Sequence, residues 1–180
     1  MKPNEFVSDK VIAAAKKNLE ASARLGTDFV PVCISDRGDI FMMNGFDDKM
    51  KAFRMMGMVA FMQKFQHVVY VFDAKMRAAT AEEAARMTAG EEVRVAPMGQ
   101  EAQEALAFLV MPLNSDIQGA TGKWEYIRAC GAVVFYKDHP DFVTQIWKDG
   151  GFYKWTLEGY KMAEKLGLRP ANGKAPPWPL

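Results

Sequence analysis

Charged side chains that could bind an anion are concentrated in the segment "HVVYVFDAKMRA", residues 67–78. Asp73, Lys75 and Arg77 alternate there with apolar residues, directly after an almost uninterrupted apolar run. Alternation with a period of two is typical of a strand and places all three side chains on one face. Arg128 interrupts a second apolar stretch, "EYIRACGAV", and is the fourth candidate. The sequence therefore predicts the following ligand-binding residues: Asp73, Lys75, Arg77 and Arg128.

Arg128 has two interpretations. A buried guanidinium needs an acidic or hydrogen-bonding partner. Arg128 should therefore meet a carboxylate on a neighbouring strand, with Asp73 or Glu125 as the candidates. Alternatively, Arg128 faces a cleft together with Lys75 and Arg77, and the three cations bind an anion. We favour the structural ion pair, because paired charges on sheets are more common than binding sites.

The sequence does not contain a recognisable nucleophilic or nucleotide-binding motif. None of its four serines lies in a G-x-S-x-G elbow. Cys130, in "RACGAV", is expected inside a strand, where burial raises the pKa of a thiol and makes it inert. "GATGKW" is not a phosphate-binding loop, because Ile117 and Trp124 replace its first glycine and its last Ser or Thr. We therefore assign no catalytic residue and no cofactor, and whether the protein is an enzyme is left open.

The histidines and cysteines are too dispersed to predict a metal site. His67 and His139 lack the second histidine at short spacing that zinc motifs require. Cys33 and Cys130 form no CxxC pair, and free thiols indicate a reducing compartment. A site assembled from all four residues is an alternative, but no metal ligand is assigned.

The charge balance argues against binding to nucleic acid or to an anionic membrane surface. Lys and Arg total 23 and Asp and Glu total 22, which leaves a formal net charge of +1. No field of one sign therefore steers the protein toward a polyanion. The N-terminus lacks the apolar core of a secretion signal, and the apolar run at residues 55–62 is too short to span a membrane. We expect a soluble, cytoplasmic protein.

Two regions could contact a protein partner. Seven of the 13 methionines fall between Met42 and Met62, and Met55, Met58 and Met62 share one helical face. That face is expected to be core, and an exposed part of it would form an adaptable contact surface. The C-terminal part is unusually aromatic, which indicates core packing with a possible protein contact. Its aromatic residues are Trp147, Phe152, Tyr153, Trp155, Tyr160 and Trp178.

The first half of the chain shows clear start and stop signals. A helix is predicted from Ser8 to about Leu25, and a hairpin is predicted around "DRG", where Gly38 has a positive φ. A second helix is predicted from Asp47 or Asp48 to about Gln66, and "HVVYVFDAKMR" is the third strand. A capping box in "TAEE" begins the short helix "AEEAARMTA".

The second half is predicted to contain two long strands and two helices. "EALAFLVMPL" and "WEYIRACGAVVFYK" are the strands, joined by the loop "NSDIQGATGK", and residues 132–135 are apolar enough to be central in the sheet. Residues 91–103 are mostly loop, with a possible short strand at "EVRVA". "PDFVTQIWKD" is predicted as a helix that begins at Pro140, and "FYKWTLEGYKMAEKL" as the last helix.

This order predicts a single α+β domain over residues 1–168 and a proline-rich tail over residues 169–180. A mainly antiparallel sheet of about five strands should carry the helices. The layout resembles profilin-like and roadblock-like ligand or dimerisation modules, and also MPN-like metal domains of the deubiquitinase type. We expect a non-catalytic binding or assembly module that forms a homo-oligomer. The alternative is a small enzyme whose Arg/Lys-lined cleft acts on an anionic small molecule.

Overall fold

The computed structural model describes residues 7–44, 48–77, 79–91, 102–113, 119–145 and 150–169. It confirms the α+β class, with helices packed on a curled antiparallel sheet. The described part holds seven strands where about five were predicted, and their order is β2-β1-β3-β4-β5-β6, with β7 also pairing with β5. The elements are α1 (Asp9–Leu25), β1 (Val32–Ser35), β2 (Ile40–Met42), α2 (Lys49–Gln63), β3 (His67–Met76), α3 (Ala81–Thr88), β4 (Gln103–Pro112), β5 (Gly119–Ala129), β6 (Ala132–Phe135), β7 (Asp141–Gln145) and α4 (Gly151–Lys165).

Alternation along the central strands divides the core into two layers. Val69 and Val71 of β3 point to the face covered by α1, which we call the α1 face. Val68 and Tyr70 point to the opposite face, covered by α2 and α4, which we call the α2–α4 face. Both faces of β3 are therefore buried along its first half, which explains the nearly continuous apolar run in the sequence.

The predicted helix ends are confirmed for α1. The Ser8 hydroxyl accepts a hydrogen bond from the Val11 amide, and Gly26 takes the left-handed conformation with φ of 65°. Val11, Ala15 and Leu19 are buried on one side of the helix. Because these apolar residues recur at helical spacing, they form one face of α1, and this face packs against the sheet.

The α2 and α4 helices cross at two glycines, with almost no side chain between their backbones. A Cβ atom built on Gly57 would lie 1.9 Å from the Thr156 carbonyl oxygen, and one on Gly159 would lie 1.9 Å from the Arg54 carbonyl oxygen. Beside the crossing, Arg54 donates to Glu158 at 2.7 and 2.9 Å. The close approach is possible because glycine has no Cβ.

A buried chain of polar groups links α4 to the sheet. The Thr156 hydroxyl donates to the Phe152 carbonyl at 2.8 Å, so its oxygen accepts from the Tyr70 hydroxyl, 2.9 Å away. Cys33 lies beside Tyr70, and burial raises the pKa of the Cys33 thiol well above its usual value. Cys33 is a free thiol and is fully buried in the core.

The prediction of one long strand over "WEYIRACGAVVFYK" is wrong, because a tight turn divides it into β5 and β6. Cys130 and Gly131 have φ values of 51° and 75°, which are the conformations of a two-residue type I′ hairpin turn. The strand β6 therefore lies at the edge of the sheet rather than at its centre, and Val134 is 60% exposed. Cys130 is exposed at the turn and is not buried in a strand.

The helix predicted at "PDFVTQIWKD" is also wrong, because residues 141–145 form β7. This strand pairs with the first half of β5, whose residues 119–123 were predicted as loop. A Cβ atom on Gly122 would lie 2.5 Å from the Phe142 ring, so the glycine of "GATGKW" makes room for that side chain. The possible strand at "EVRVA" and the tail from residue 170 onward lie outside the described residues.

Candidate functional site

Asp73 and Arg128 meet at one end of the α1 face, together with two residues that the sequence reading did not select. The Tyr126 hydroxyl donates to Asp73 Oδ1 at 2.5 Å. The Arg128 guanidinium lies 3.6 Å from Asp73 Oδ2 and 3.9 Å from Glu104 Oε2. The structure therefore confirms Asp73, rather than Glu125, as the carboxylate that Arg128 faces.

Burial determines the electrostatics of this charged cluster (Asp73, Glu104, Tyr126 and Arg128). The pKa of Tyr126 is raised well above its usual value, mainly by burial and to a smaller extent by the hydrogen bond to Asp73. The Nε and Nη2 atoms of Arg128 are buried, and within the described part of the chain neither has a hydrogen-bond partner. Both carboxylates lie at ion-pair distance from the guanidinium and stabilise its charged form.

Arg77 is directed away from this cluster, toward α3. Its guanidinium donates to both Glu83 carboxylate oxygens, at 2.6 and 2.8 Å. The Thr80 amide donates to Glu83 and the Glu83 amide donates to the Thr80 hydroxyl, so the predicted capping box is present. Hydrogen bonds from Arg77 and from the Thr80 backbone lower the pKa of Glu83 to about 2. Arg77 thereby connects the end of β3 to the start of α3.

Lys75 lies opposite Glu104 in the register of β3 and β4. Among the described residues it forms no ion pair, whereas Glu125 pairs with Lys123 at 2.8 Å. The structure thus brings two of the four predicted residues, Asp73 and Arg128, together, whereas Arg77 pairs with Glu83. A role of the four in binding an anion stays a prediction.

A cavity of about 520 Å³ lies elsewhere, between α1 and β6. Its floor is apolar: the Trp124 and Phe135 rings stack at 4.1 Å, with Ile12 and Val133 beside them. Lys16 stands at the rim, 5.1 Å above the Phe135 ring. The lining includes none of the four predicted residues. This α1–β6 groove could not be predicted from the sequence, because its two walls are far apart in the chain.

At one end of the sheet, the α2–α4 face has no helix over it in the described part of the chain. Ile127 of β5, Val134 of β6 and Tyr136 after it lie on this side, and so does Val143 of β7. Their exposed fractions are 47%, 60%, 53% and 57%, respectively. We call these four residues the open apolar face. Sequence reasoning missed it because it took β6 as a central strand and β7 as a helix.

The two regions expected to offer partner contacts are largely engaged in the core. On α2, Met56 is 1% exposed, and Met55, Met58 and Met62 are half-buried. The aromatic residues of α4 that pack against the same core are Phe152, Tyr153, Trp155 and Tyr160. A contact of either region with a protein partner stays a prediction.

Neither a metal-binding cluster nor a membrane-spanning helix occurs among the described residues. Within the described residues, no three His, Cys, Asp or Glu side chains gather closely enough to hold a metal ion. None of the described helices has the length and hydropathy needed to span a membrane. No protein-family model matches the chain, and no similar protein was found among the curated proteins or the solved structures.

Proposed function

We propose that this protein is a non-catalytic assembly module that self-associates through the β6 end of its sheet. The observation that supports the proposal is the open apolar face beside the edge strand β6. Ile127, Val134 and Tyr136 are grouped at the β6 end of the sheet, whereas Val143 pairs with Thr121, six residues further along β5. A group of exposed apolar side chains marks an interaction site more often than isolated apolar residues do.

A second copy of the chain is the partner that best fits this surface. The residues of β6 are Ala132, Val133, Val134 and Phe135, so the strand carries no charge that would repel an identical strand. Open edge strands are templates for pairing with another chain, and charged residues are the usual protection against it. This edge lacks that protection. Symmetric pairs formed from one self-complementary surface are also the most common protein oligomers.

Sedimentation velocity over a range of protein concentrations tests the proposal. The wild-type protein should sediment as a dimer at micromolar concentration, and Val134→Asp should sediment as a monomer. Met162→Asp is the matched control, because Met162 is 49% exposed but lies on α4, away from the open apolar face. A wild-type protein that stays monomeric at all concentrations would refute self-association.

We propose a cytoplasmic location as part of this function. The support is chemical: Cys33 and Cys130 are both free, and Cys130 is exposed, as expected in a reducing compartment. Fractionation of cells that produce the protein, with the thiols blocked at lysis, tests this. Recovery of the protein outside the cytoplasm would contradict it.

The α1–β6 groove supports a second candidate function, the binding of a small molecule with an apolar or aromatic body. Its volume of about 520 Å³ is within the usual range of ligand sites, roughly 300–1,000 Å³. Ala13→Trp would fill the groove, whereas Ala21→Trp places the same ring on an exposed part of α1 outside it. With 2-naphthoate and 2-naphthylmethanol as calorimetric probes, binding should be lost in the first variant only. Equal heats in both variants would refute the site.

A further inference from the structure

We infer that two copies join by antiparallel pairing of β6 with β6, with Val134 on the two-fold axis. This inference rests on the proposed self-association and specifies its geometry. The resulting assembly has one continuous sheet that runs through both protomers.

The hydrogen-bonding direction along β6 can be read from its pairing with β5. The Tyr136 amide donates to the Glu125 carbonyl of β5 at 3.2 Å. In an antiparallel ladder, successive residues alternate between facing the partner strand and facing away. Residues 132, 134 and 136 therefore direct their backbone groups toward β5. Val133 and Phe135 direct theirs outward, to the side where no described strand lies.

In one register, both outward-facing residues of β6 find their partners within the identical strand. A two-fold axis perpendicular to the sheet keeps each face continuous across the junction, so only residues on the same face of their strands can be paired. With Val134 on the axis, Val133 exchanges backbone hydrogen bonds with the partner's Phe135, and Phe135 exchanges them with the partner's Val133. All outward backbone groups of the strand are then satisfied.

The side chains are compatible with this register. Val134 meets the partner's Val134 as a non-hydrogen-bonded pair, the closer of the two kinds of cross-strand pair. Tyr136 lies opposite the partner's Ala132, so two of the most exposed apolar side chains, Val134 and Tyr136, lose exposed area. No two like charges face each other along this strand. Val143, on β7, stays outside the junction.

Disulfide cross-linking tests the register. In a Cys130→Ser background, Val134→Cys should form a disulfide-linked dimer with oxidised glutathione, because Cβ atoms in such a pair are about 4.5–5.5 Å apart and a small shift suits a disulfide. Val143→Cys has similar exposure on the same face and should stay monomeric on a non-reducing gel. Cross-linking of Val143→Cys at an equal yield would overturn the inference.

A proline substitution tests the hydrogen bonds without new cysteines. Val133→Pro removes an outward amide but no bond to β5, so the hairpin should fold and the dimer should dissociate about tenfold more readily. If the wild type is a dimer but Val134→Cys does not cross-link and Val133→Pro has no effect, the register is wrong and self-association stands. If the wild type is a monomer, both are refuted.

Discussion

At the scale of single residues, the charged cluster is an ion-pair network that ends the α1 face. Asp73 accepts a hydrogen bond from the Tyr126 hydroxyl and faces the Arg128 guanidinium, whose Nε and Nη2 atoms are buried. A buried guanidinium stays in place only while carboxylates offset its desolvation. We therefore consider Asp73 a structural residue.

Removing the carboxylate charge should cost more stability than removing the cation. Asp73→Asn leaves the partly buried Arg128 charge with a more distant carboxylate, and it should reduce the free energy of unfolding by about 1–2 kcal/mol. Arg128→Met removes the charge and keeps the apolar stem, so its effect should be smaller. Urea unfolding of both variants and of the double variant measures this. A double variant whose loss equals the sum of the single losses would show that the two residues do not interact.

Glu83 should contribute to stability above its ordinary pKa and lose that contribution in acid. Its pKa is lowered from 4.5 to about 2 in the folded protein, so the unfolded state binds the proton first as the pH falls. The stabilisation is complete above pH 4.5 and declines toward pH 2. The difference in urea midpoint between wild type and Glu83→Gln should therefore be larger at pH 7 than at pH 3. Glu82→Gln, which changes the neighbouring carboxylate of the same helical turn, is the matched variant for comparison.

Only some members of the charged cluster could be predicted from the sequence. Arg128 could be predicted to need a carboxylate, because an arginine in an apolar strand has few other partners. Asp73 was among the candidates since its strand alternates clearly. Glu104 was missed because it approaches Arg128 only through the register of β4 between β3 and β5, which long-range pairing determines.

At the scale of secondary-structure elements, the sequence-based predictions were wrong where the local sequence pattern conflicted with the pairing of strands in the sheet. The β5–β6 turn was missed because cysteine at positive φ is uncommon, and only the glycine after it indicated a hairpin. The strand β7 was missed because Pro140 suggested a helix start, while Phe142, Val143 and Thr144 also fit a short strand. Pairing with β5 decides between the two, and that pairing cannot be seen within a short window.

Substitution of a crossing glycine should destabilise the α2–α4 pair strongly. Gly57→Ala places a methyl group against a backbone carbonyl 1.9 Å away, and backbone atoms cannot yield as a flexible side chain can. The free energy of unfolding should fall by about 3 kcal/mol or more. Gly151→Ala is the control, because its Cβ would make only an ordinary 3.5 Å contact with the Trp155 ring. Thermal unfolding followed by circular dichroism measures both. Equal melting temperatures would show that the helices can move apart.

At the scale of the whole molecule, the sequence was sufficient for the fold class but not for the coverage of the sheet. Caps at Ser8, Asp48 and Thr80 fixed three helices, and alternation fixed β3 and β4. Which strands each helix covers depends on contacts such as the Gly57–Gly159 crossing, which carry no local pattern. The open apolar face follows from that coverage and could not be predicted.

Self-association should make the melting temperature depend on protein concentration. If the dimer unfolds to two chains, each tenfold rise in concentration should raise the midpoint by about 2 °C. Val134→Asp should melt at one temperature at all concentrations, whereas Met162→Asp should behave as the wild type does. Scanning calorimetry at several concentrations measures this. A wild-type midpoint that does not vary would contradict dimerisation.

The alternating direction of the β6 backbone groups also has a consequence for isotope exchange with solvent. In a single protomer, the amides of Val134 and Tyr136 point to β5, while those of Val133 and Phe135 point to the side on which no described strand lies. Deuterium should therefore enter at every second position of this strand. Raising the protein concentration should then slow exchange at the Val133 and Phe135 amides alone. The exchange rates of these two amides, measured by nuclear magnetic resonance, would therefore report the fraction of protein that is assembled.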